Sequence, residues 1–231
     1  MTLVVLGSIA LLAFTVEGAI GFGSTVVAVS LGAQFVPLEL LLPTFVPLNI
    51  VLSISLLRGQ IQWRTLLVEI APVVAAGIAA GIALSHVLTS RWLLVGFGAF
   101  VVGLSTWQLL RREVARAWSM PFLVLGGIVH GLFGTGGPMI VYVTRKKIAD
   151  KTAFRATLAV LWIALNTILV SNFVAMERYP SPTLMLVLAA AIIPGRLIGE
   201  RLHRGLDAER FERIVWIVLL VAGAALALRA L

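Results

Sequence analysis

The sequence predicts an all-α polytopic membrane protein built from two inverted repeats, and three observations support this prediction. Hydrophobic residues make up 60% of the 231 residues and charged residues only 12%, whereas about 25% of a soluble domain is charged. Mean hydropathy is +1.07, and several apolar runs approach the roughly 20 residues needed to cross a bilayer. A glycine motif occurs twice, once in each half of the chain, each time in the middle of an apolar segment.

The glycine motif reads Glu17-Gly-Ala-Ile-Gly-Phe-Gly-Ser24 in the first half and His130-Gly-Leu-Phe-Gly-Thr-Gly-Gly137 in the second. Glycine clusters break a helix and let the backbone approach a neighbour closely. A membrane protein with broken helices at corresponding positions of two repeats is typical of secondary transporters, whose site lies at the repeat interface. The paired motif therefore predicts a transporter.

The apolar segments define the predicted elements in chain order. Six of them can span the membrane: 40–57, 65–87, 92–110, 156–176, 183–199 and 211–228. The other four are too short to span alone and flank the two motifs: 2–16, 24–36, 120–133 and 137–144. Each repeat is therefore a glycine-broken pair followed by three spanning helices. The first repeat covers 1–111 and the second covers 119–231, with a joining loop at 112–118.

The basic residues favour re-entrant pairs, which enter and leave the membrane on the same side. If each pair crossed as one kinked helix, the loops would divide Lys and Arg about 7 to 10, which is hardly a bias. With re-entrant pairs, one side carries only Arg91, Arg178 and Arg229. The other side carries Arg58, Arg64, Arg111, Arg112, Arg116, Arg145, Lys146, Lys147, Lys151, Arg155, Arg201, Arg204, Arg210 and Arg213. This split follows the positive-inside rule and predicts both termini on the periplasmic face. Three spans per repeat is an odd number, so the repeats are inverted.

The two glycine tips are predicted to form one anion site near the membrane midplane. Non-helical backbone at that depth is tolerated only inside protein or along a wet cavity. A second half-helix is predicted to begin at each tip, and the free N–H groups and positive dipole of a helix start favour an anion. Proline after the second tip suits a first helical turn. The predicted binding set is Gly21, Gly23, Ser24, Thr25, Gly134, Thr135, Gly136 and Gly137.

These residues resemble those of a known family. Gly-Leu-Phe-Gly-Thr-Gly-Gly-Pro in the second copy, Gly-x-Gly in the first, and the late segment Pro194-Gly-Arg-Leu-Ile-Gly199 are similar to the TauE/SafE family, the 4-toluene sulfonate uptake permeases. The resemblance covers essentially the whole chain. It implies transport of sulfite, sulfoacetate or a related small organosulfur anion across the bacterial inner membrane. Two departures are Ser24, where the second copy has Gly137, and the carboxylate of Glu17 beside the first motif.

Glu17 and His130 occupy the same repeat position and are candidates for proton coupling. Ionisable residues inside a membrane are costly and mark function by default, and histidine changes charge near neutral pH. The alternative is that both side chains only hydrogen-bond backbone amides at the breaks. Coupling to sodium and association into a homodimer are left open.

Further polar residues could face the anion. When the alignment of the two motif copies is extended along the chain, Asn166 falls on Ser53, and Asn49 lies one turn before Ser53. The three are substrate-binding candidates, with interhelical hydrogen bonding as the alternative. Arg196 is a candidate for a substrate vestibule, or it forms an intrahelical ion pair with Glu200. Close helix packing explains Gly77-x-x-x-Gly81 and Gly195-x-x-x-Gly199.

Several other function classes are excluded by the sequence. The glycine motifs lack the strand and the remaining residues of a nucleotide-binding fingerprint. The three histidines have no metal-ligand spacing, no nucleophile-plus-base constellation is visible, and there are no cysteines. We therefore expect no enzyme, cofactor, metal or nucleic-acid partner. An anion channel with glycine-lined re-entrant tips and a non-transporting membrane assembly factor stay open as alternatives.

Overall fold

The structure, a computed structural model, describes residues 2–110, 118–205 and 208–230, and the side chains of these residues except 203–212 and 230. Most of the described residues are helical and none lies in a strand, which confirms the all-α prediction. The predicted joining loop up to residue 117 lies outside the described residues, as do three of the basic residues in the charge comparison: Arg111, Arg112 and Arg116. The side chains of Arg204 and Arg210 lie outside them too.

The helices follow the predicted segments closely. In the first half they are α1 (Thr2–Ile20), α2 (Ser24–Gly32), α3 (Leu38–Leu56), a π-helical turn (Thr65–Ile70) leading into α4 (Ala71–Val87), and α5 (Ser90–Leu109). In the second half they are α6 (Ser119–Phe133), α7 (Gly137–Lys147), α8 (Lys151–Ala175), α9 (Pro182–Ala190), α10 (Ile192–Gly205) and α11 (Ala208–Ala230).

Six described helical stretches are long and apolar enough to cross a membrane by length and composition. They are Thr2–Ile20, Leu38–Leu56, Thr65–Val87, Ser90–Leu109, Lys151–Ala175 and Pro182–Leu202. Five correspond to predicted spans, and the predicted span 211–228 is helical within α11. The difference is α1. The sequence predicts that it ends at residue 16 and is a half-helix too short to cross.

Helix α1 is longer than predicted because it continues through Glu17 and Gly18 to Ile20. A glycine inside a helix costs about 1 kcal/mol relative to alanine, and here packing offsets that loss. The bare backbone at Gly18 lets α10 come close, since an added Cβ would lie 3.1 Å from the carbonyl oxygen of Arg196. The break itself falls at Gly21, whose φ is 91°.

The chain divides into two compact units, and each unit takes helices from both halves of the sequence. Unit 1 comprises Met1–Phe45, Leu88–Glu113 and Pro180–Leu231, and unit 2 comprises Val46–Val87 and Val114–Tyr179. In unit 1, α1 packs on α10 and α5 on α11; in unit 2, α4 packs on α6. The compact units and the sequence repeats are therefore different divisions of the chain.

In each unit, the helix that carries the glycine motif packs through glycine against the second spanning helix of the other repeat. In unit 1, a Cβ added at Gly199 would lie 2.8 Å from the carbonyl carbon of Gly18. In unit 2, a Cβ added at Gly131 would lie 3.0 Å from the Cα of Gly81, and one added at Gly127 would lie 2.9 Å from that of Gly77. These contacts confirm that the two Gly-x-x-x-Gly segments serve close helix packing.

Candidate functional site

The two glycine breaks close with the same backbone turn. The N–H of Gly21 donates to the carbonyl of Glu17, and the N–H of Gly134 donates to the carbonyl of His130, both at 2.7 Å. Both glycines are left-handed, with φ of 91° and 66°. Such a turn ends a helix and strongly favours glycine. Shortly after each turn a new helix begins, α2 at Ser24 and α7 at Gly137, as the sequence predicts.

At the first break, the N-terminus of α2 is capped by a carboxylate from α1. Glu17 is buried, with 2% of its surface exposed. One of its carboxylate oxygens, Oε2, accepts from the backbone N–H of Ser24 at 3.2 Å and from the Ser24 hydroxyl. A negative group at this place is favoured by the helix dipole and by the first N–H groups of the helix. The neighbouring Thr25 is also buried.

At the second break, no side chain caps the N-terminus of α7 in the described structure. Its N-cap is Gly136, and Pro138 stands in the first turn. His130 replaces the glutamate and is 2% exposed, and neither of its ring nitrogens has a hydrogen-bond partner among the described residues. The hydroxyl of Thr135, which directly precedes Gly136, is likewise buried and unpartnered in the described part of the chain.

His130 lies against α8. The indole of Trp162 stacks on the imidazole with ring centroids 5.9 Å apart, and Asn166 lies one turn further along α8. The Asn166 side-chain NH₂ donates to Oδ1 of Asn49 at 2.7 Å. The hydroxyl of Ser53, one turn beyond Asn49 on α3, is buried.

Most of the unsatisfied buried polar atoms in the described chain belong to unit 2. Of the eight buried side-chain nitrogen and oxygen atoms without a partner in the described chain, six belong to unit 2: Ser53 Oγ, His130 Nδ1 and Nε2, Thr135 Oγ1, Trp162 Nε1 and Asn166 Oδ1. Leaving a buried polar group unsatisfied costs about 1 to 3 kcal/mol. We call these five residues with Asn49 the polar cluster.

The polar cluster is rich in donors and contains no carboxylate. Hydroxyl and indole groups donate, and an imidazole donates through one or both nitrogens. Among the described residues no group of three or more His, Asp or Glu is placed to hold a metal ion. The arrangement therefore has the chemistry to bind a small oxyanion rather than a cation.

Sequence reasoning missed one member of the cluster, Trp162. It is 6% exposed, and it falls on Asn49 in the repeat alignment, just as Asn166 falls on Ser53. The same alignment that pairs Ser53 with Asn166 could therefore have found it. A tryptophan in an apolar helix otherwise gives no signal, because it is more often a packing residue.

The remaining predicted site residues lie in unit 1. Gly21, Gly23, Ser24 and Thr25 belong to it, so the single cavity predicted for both tips stays a prediction. Arg196 on α10 forms the intrahelical ion pair with Glu200, at 3.1 Å. Its vestibule role also stays a prediction.

A cavity of about 320 Å³ opens in unit 1, and no residue of either glycine motif lines it. It lies between the α2–α3 loop, the start of α5 and the end of α11, where Arg229 donates to the carbonyl of Gln34 at 2.8 Å. Glu39 contributes a carboxylate to its lining. Because a fixed carboxylate disfavours an anion, this cavity is a poorer candidate for the predicted substrate than the polar cluster.

Comparison with known proteins identifies a family and a related transporter. The family described as "Sulfite exporter TauE/SafE" matches residues 6–226. The chain is 25% identical over 186 residues to the "Probable inner membrane transporter protein TsaS" of Comamonas testosteroni, covering 74% of this chain and 77% of that protein. No solved structure matches the chain significantly.

The family match spans nearly the whole chain, and six helical stretches fit a multi-pass protein of the inner membrane. Both matched names denote transport rather than enzymatic chemistry. The chain belongs to the TauE/SafE family of membrane transporters.

Proposed function

We propose that the protein is a secondary transporter that moves a small organosulfur anion across the bacterial inner membrane. Sulfite, sulfoacetate or another sulfonate would be the substrate. The observation that carries the proposal is the polar cluster, a set of buried donors without a carboxylate beside the uncapped N-terminus of α7. Membership of the TauE/SafE family supports this substrate class.

The polar cluster matches the chemistry of an oxyanion. The hydroxyl of Thr135 and the indole N–H of Trp162 would donate to the oxygens of a sulfite or sulfonate group. Hydrogen bonds to a charged acceptor are roughly twice as strong as neutral ones, so binding would offset the cost of burying these donors. The positive end of the α7 dipole lies at the same glycine break and would also favour an anion.

Transport would proceed by alternating access around this site, as in other repeat-built transporters. No ATP-binding fingerprint occurs in the sequence, so an ion gradient or the substrate gradient would drive net movement. His130 lies inside the cluster and is the residue placed to couple a proton, since a protonated imidazole and an anion attract each other. Sodium is the alternative coupling ion.

Counterflow in proteoliposomes tests the proposal. Vesicles containing the purified protein are loaded with unlabelled sulfite or sulfoacetate, and uptake of the labelled anion is followed. A transporter gives saturable uptake that trans substrate accelerates. An anion channel gives uptake without acceleration, and an assembly factor gives none. A thermal-shift screen against sulfite, sulfoacetate, taurine and sulfate would first identify the substrate.

We also propose that both termini are periplasmic, that α1 and α2 form one re-entrant pair, and that α6 and α7 form the other. With 15 and 11 residues, α6 and α7 reach about 22 and 16 Å, short of a hydrocarbon core of about 30 Å. Single cysteines can report sidedness because the chain has none of its own. We expect Lys147→Cys to react only from the cytoplasm and Arg178→Cys only from the periplasm. The opposite labelling pattern would exclude this topology.

A further inference from the structure

We propose that the carboxylate of Glu17 is a built-in occupant of the anion position at the first glycine break. One chain would then bind one exogenous anion, at the polar cluster of unit 2. The inference rests on the proposed function, because it takes a small oxyanion as the ligand of that cluster. The sequence predicts that the N-termini of both α2 and α7 bind substrate; under this inference only that of α7 does.

The first step is that Glu17 stands where an anion would bind. A helix N-terminus presents N–H groups and a positive dipole to an anion, and here the carboxylate accepts both the backbone N–H and the hydroxyl of Ser24. Glu17 belongs to the same unit as α2 and is 2% exposed. The interaction is therefore an internal version of the contact that a bound anion would make.

The second step is that the matching position of the other repeat carries the opposite chemistry. The alignment of the two motif copies puts His130 on Glu17. A neutral imidazole has one donor and one acceptor nitrogen, and neither ring nitrogen of His130 has a hydrogen-bond partner within the described residues. Thr135 adds a hydroxyl and Trp162 an indole N–H, and neither has a hydrogen-bond partner within the described residues. Each of the three side chains is more than nine-tenths buried. Of the two breaks as the structure describes them, the second is the one with donors ready for an outside ligand.

The consequence is a functional difference between two equivalent backbone turns. A second anion at the first break would have to displace the Glu17 carboxylate or lie beside it, and like charges in a buried site repel strongly. Glu17 therefore excludes substrate from unit 1 and stabilises the start of α2. Its place in the mechanism is that of a positioning and specificity-determining residue rather than a substrate ligand.

Stoichiometry with matched hydroxyl variants tests the assignment. Sulfite is titrated calorimetrically into the purified full-length protein under anaerobic conditions. We expect one site per chain. Thr135→Val should weaken sulfite binding about tenfold or more, because it removes a donor to a charged ligand. Ser24→Ala should leave the affinity within about twofold, since its hydroxyl serves Glu17.

Thr135→Ser, which keeps the hydroxyl, should retain binding, and Thr135→Ala replaces Thr135→Val if the latter does not fold. Two sites per chain, or a loss of affinity in Ser24→Ala that Thr135→Val does not share, would overturn the proposal. If the protein binds one sulfite per chain and the variants change the affinity as expected, but proteoliposomes show no counterflow, the inference holds and the proposed transport is refuted.

Chemical rescue tests the role of Glu17 separately from substrate binding. Glu17→Ala removes a fragment the size of acetate from the start of α2. We expect the melting temperature of Glu17→Ala to fall and to recover with added acetate, but not with chloride at equal ionic strength. Glu17→Gln, which keeps the shape and an acceptor, provides the second variant and should respond less to acetate. Absence of any acetate-specific recovery would refute the internal-anion role.

Discussion

The first and second glycine breaks share a backbone but differ in chemistry. In both, a left-handed glycine closes the preceding helix by the same 2.7 Å hydrogen bond, and a new helix begins shortly after it. At the first break, Glu17 satisfies the start of α2 from within the chain. At the second, His130 and its neighbours leave buried donors unsatisfied around the start of α7.

This difference shows how a repeated motif can serve two purposes. The glycines fix the turn and the close helix packing in both units, so the backbone requirement is the same. The side chain at the position of Glu17 and His130 then decides whether the helix N-terminus is closed by the protein or available to a ligand. We therefore propose that the first break is structural and that the second binds substrate.

The largest expected effect is on the stability of variants at Gly136 and Gly23, which exclude a side chain for different reasons. A Cβ added at Gly136 would overlap the carbonyl group of Gly126, whereas one added at Gly23 has room but a φ of +100°. We expect Gly136→Ala to lose about 3 kcal/mol of unfolding free energy through overpacking and Gly23→Ala about 1 to 2 kcal/mol through backbone strain.

Gly103→Ala in α5 is the matched control. Nothing lies within 4 Å of a Cβ added there, so a gain of up to about 1 kcal/mol is expected from helix propensity. Thermal unfolding in detergent checks the order. A larger loss at Gly23 than at Gly136 would contradict the account. Gly136→Leu should insert into the membrane and lose transport.

The next effect concerns protons. If His130 must be protonated to bind the anion, the anion affinity is highest well below the pKa of His130. Above that pKa the affinity falls by about tenfold per pH unit. His130→Gln keeps hydrogen bonding without a charge change and should flatten the dependence between about pH 5.5 and 8. Substrate binding measured at several pH values for both proteins decides the matter. An unchanged profile in His130→Gln would leave the histidine a structural role only.

A smaller effect is expected from one indole N–H. Trp162→Phe keeps an aromatic ring against His130 but removes the donor, so substrate affinity should fall about tenfold with little loss of stability. Trp216, on α11 in unit 1, is equally buried at 6% exposed and provides the control. Trp216→Phe should leave affinity unchanged. Equal effects of the two substitutions would remove Trp162 from the anion site.

The smallest expected effect concerns one ion pair in each unit. Lys147 pairs with Glu69 at 2.6 Å in unit 2, and Arg196 pairs with Glu200 at 3.1 Å in unit 1. All four side chains are 21% to 38% exposed, so water and salt screen each pair and it adds little to stability. Lys147→Met and Arg196→Met should barely change the melting temperature. A loss of transport in Arg196→Met at unchanged stability would support the vestibule role instead.

Much of this fold could be predicted from sequence because glycine and apolar periodicity act locally. The breaks, the starts of α2 and α7, and the glycine packing of Gly77-x-x-x-Gly81 all follow from such local signals. The length of α1 did not, because Gly18 stays helical only through its contact with α10. The interleaving of the two halves into compact units also depends on long-range packing.

The site was predictable in part for the same reason. Repeat alignment found Glu17, His130, Ser53 and Asn166, but it could not show that the Glu17 carboxylate turns back onto Ser24. That contact depends on the turn geometry between two helices. The alignment also pairs Trp162 with Asn49, but a tryptophan in an apolar helix gives no signal of binding by itself.

An anomalous difference map from crystals grown with selenite, the heavier analogue of sulfite, tests the central claim most directly. The account predicts one selenium peak per chain, beside His130, Thr135 and Trp162 at the start of α7, with the Glu17 carboxylate still on Ser24. A selenium peak at Ser24, or an empty polar cluster in crystals that bind selenite elsewhere, would contradict it.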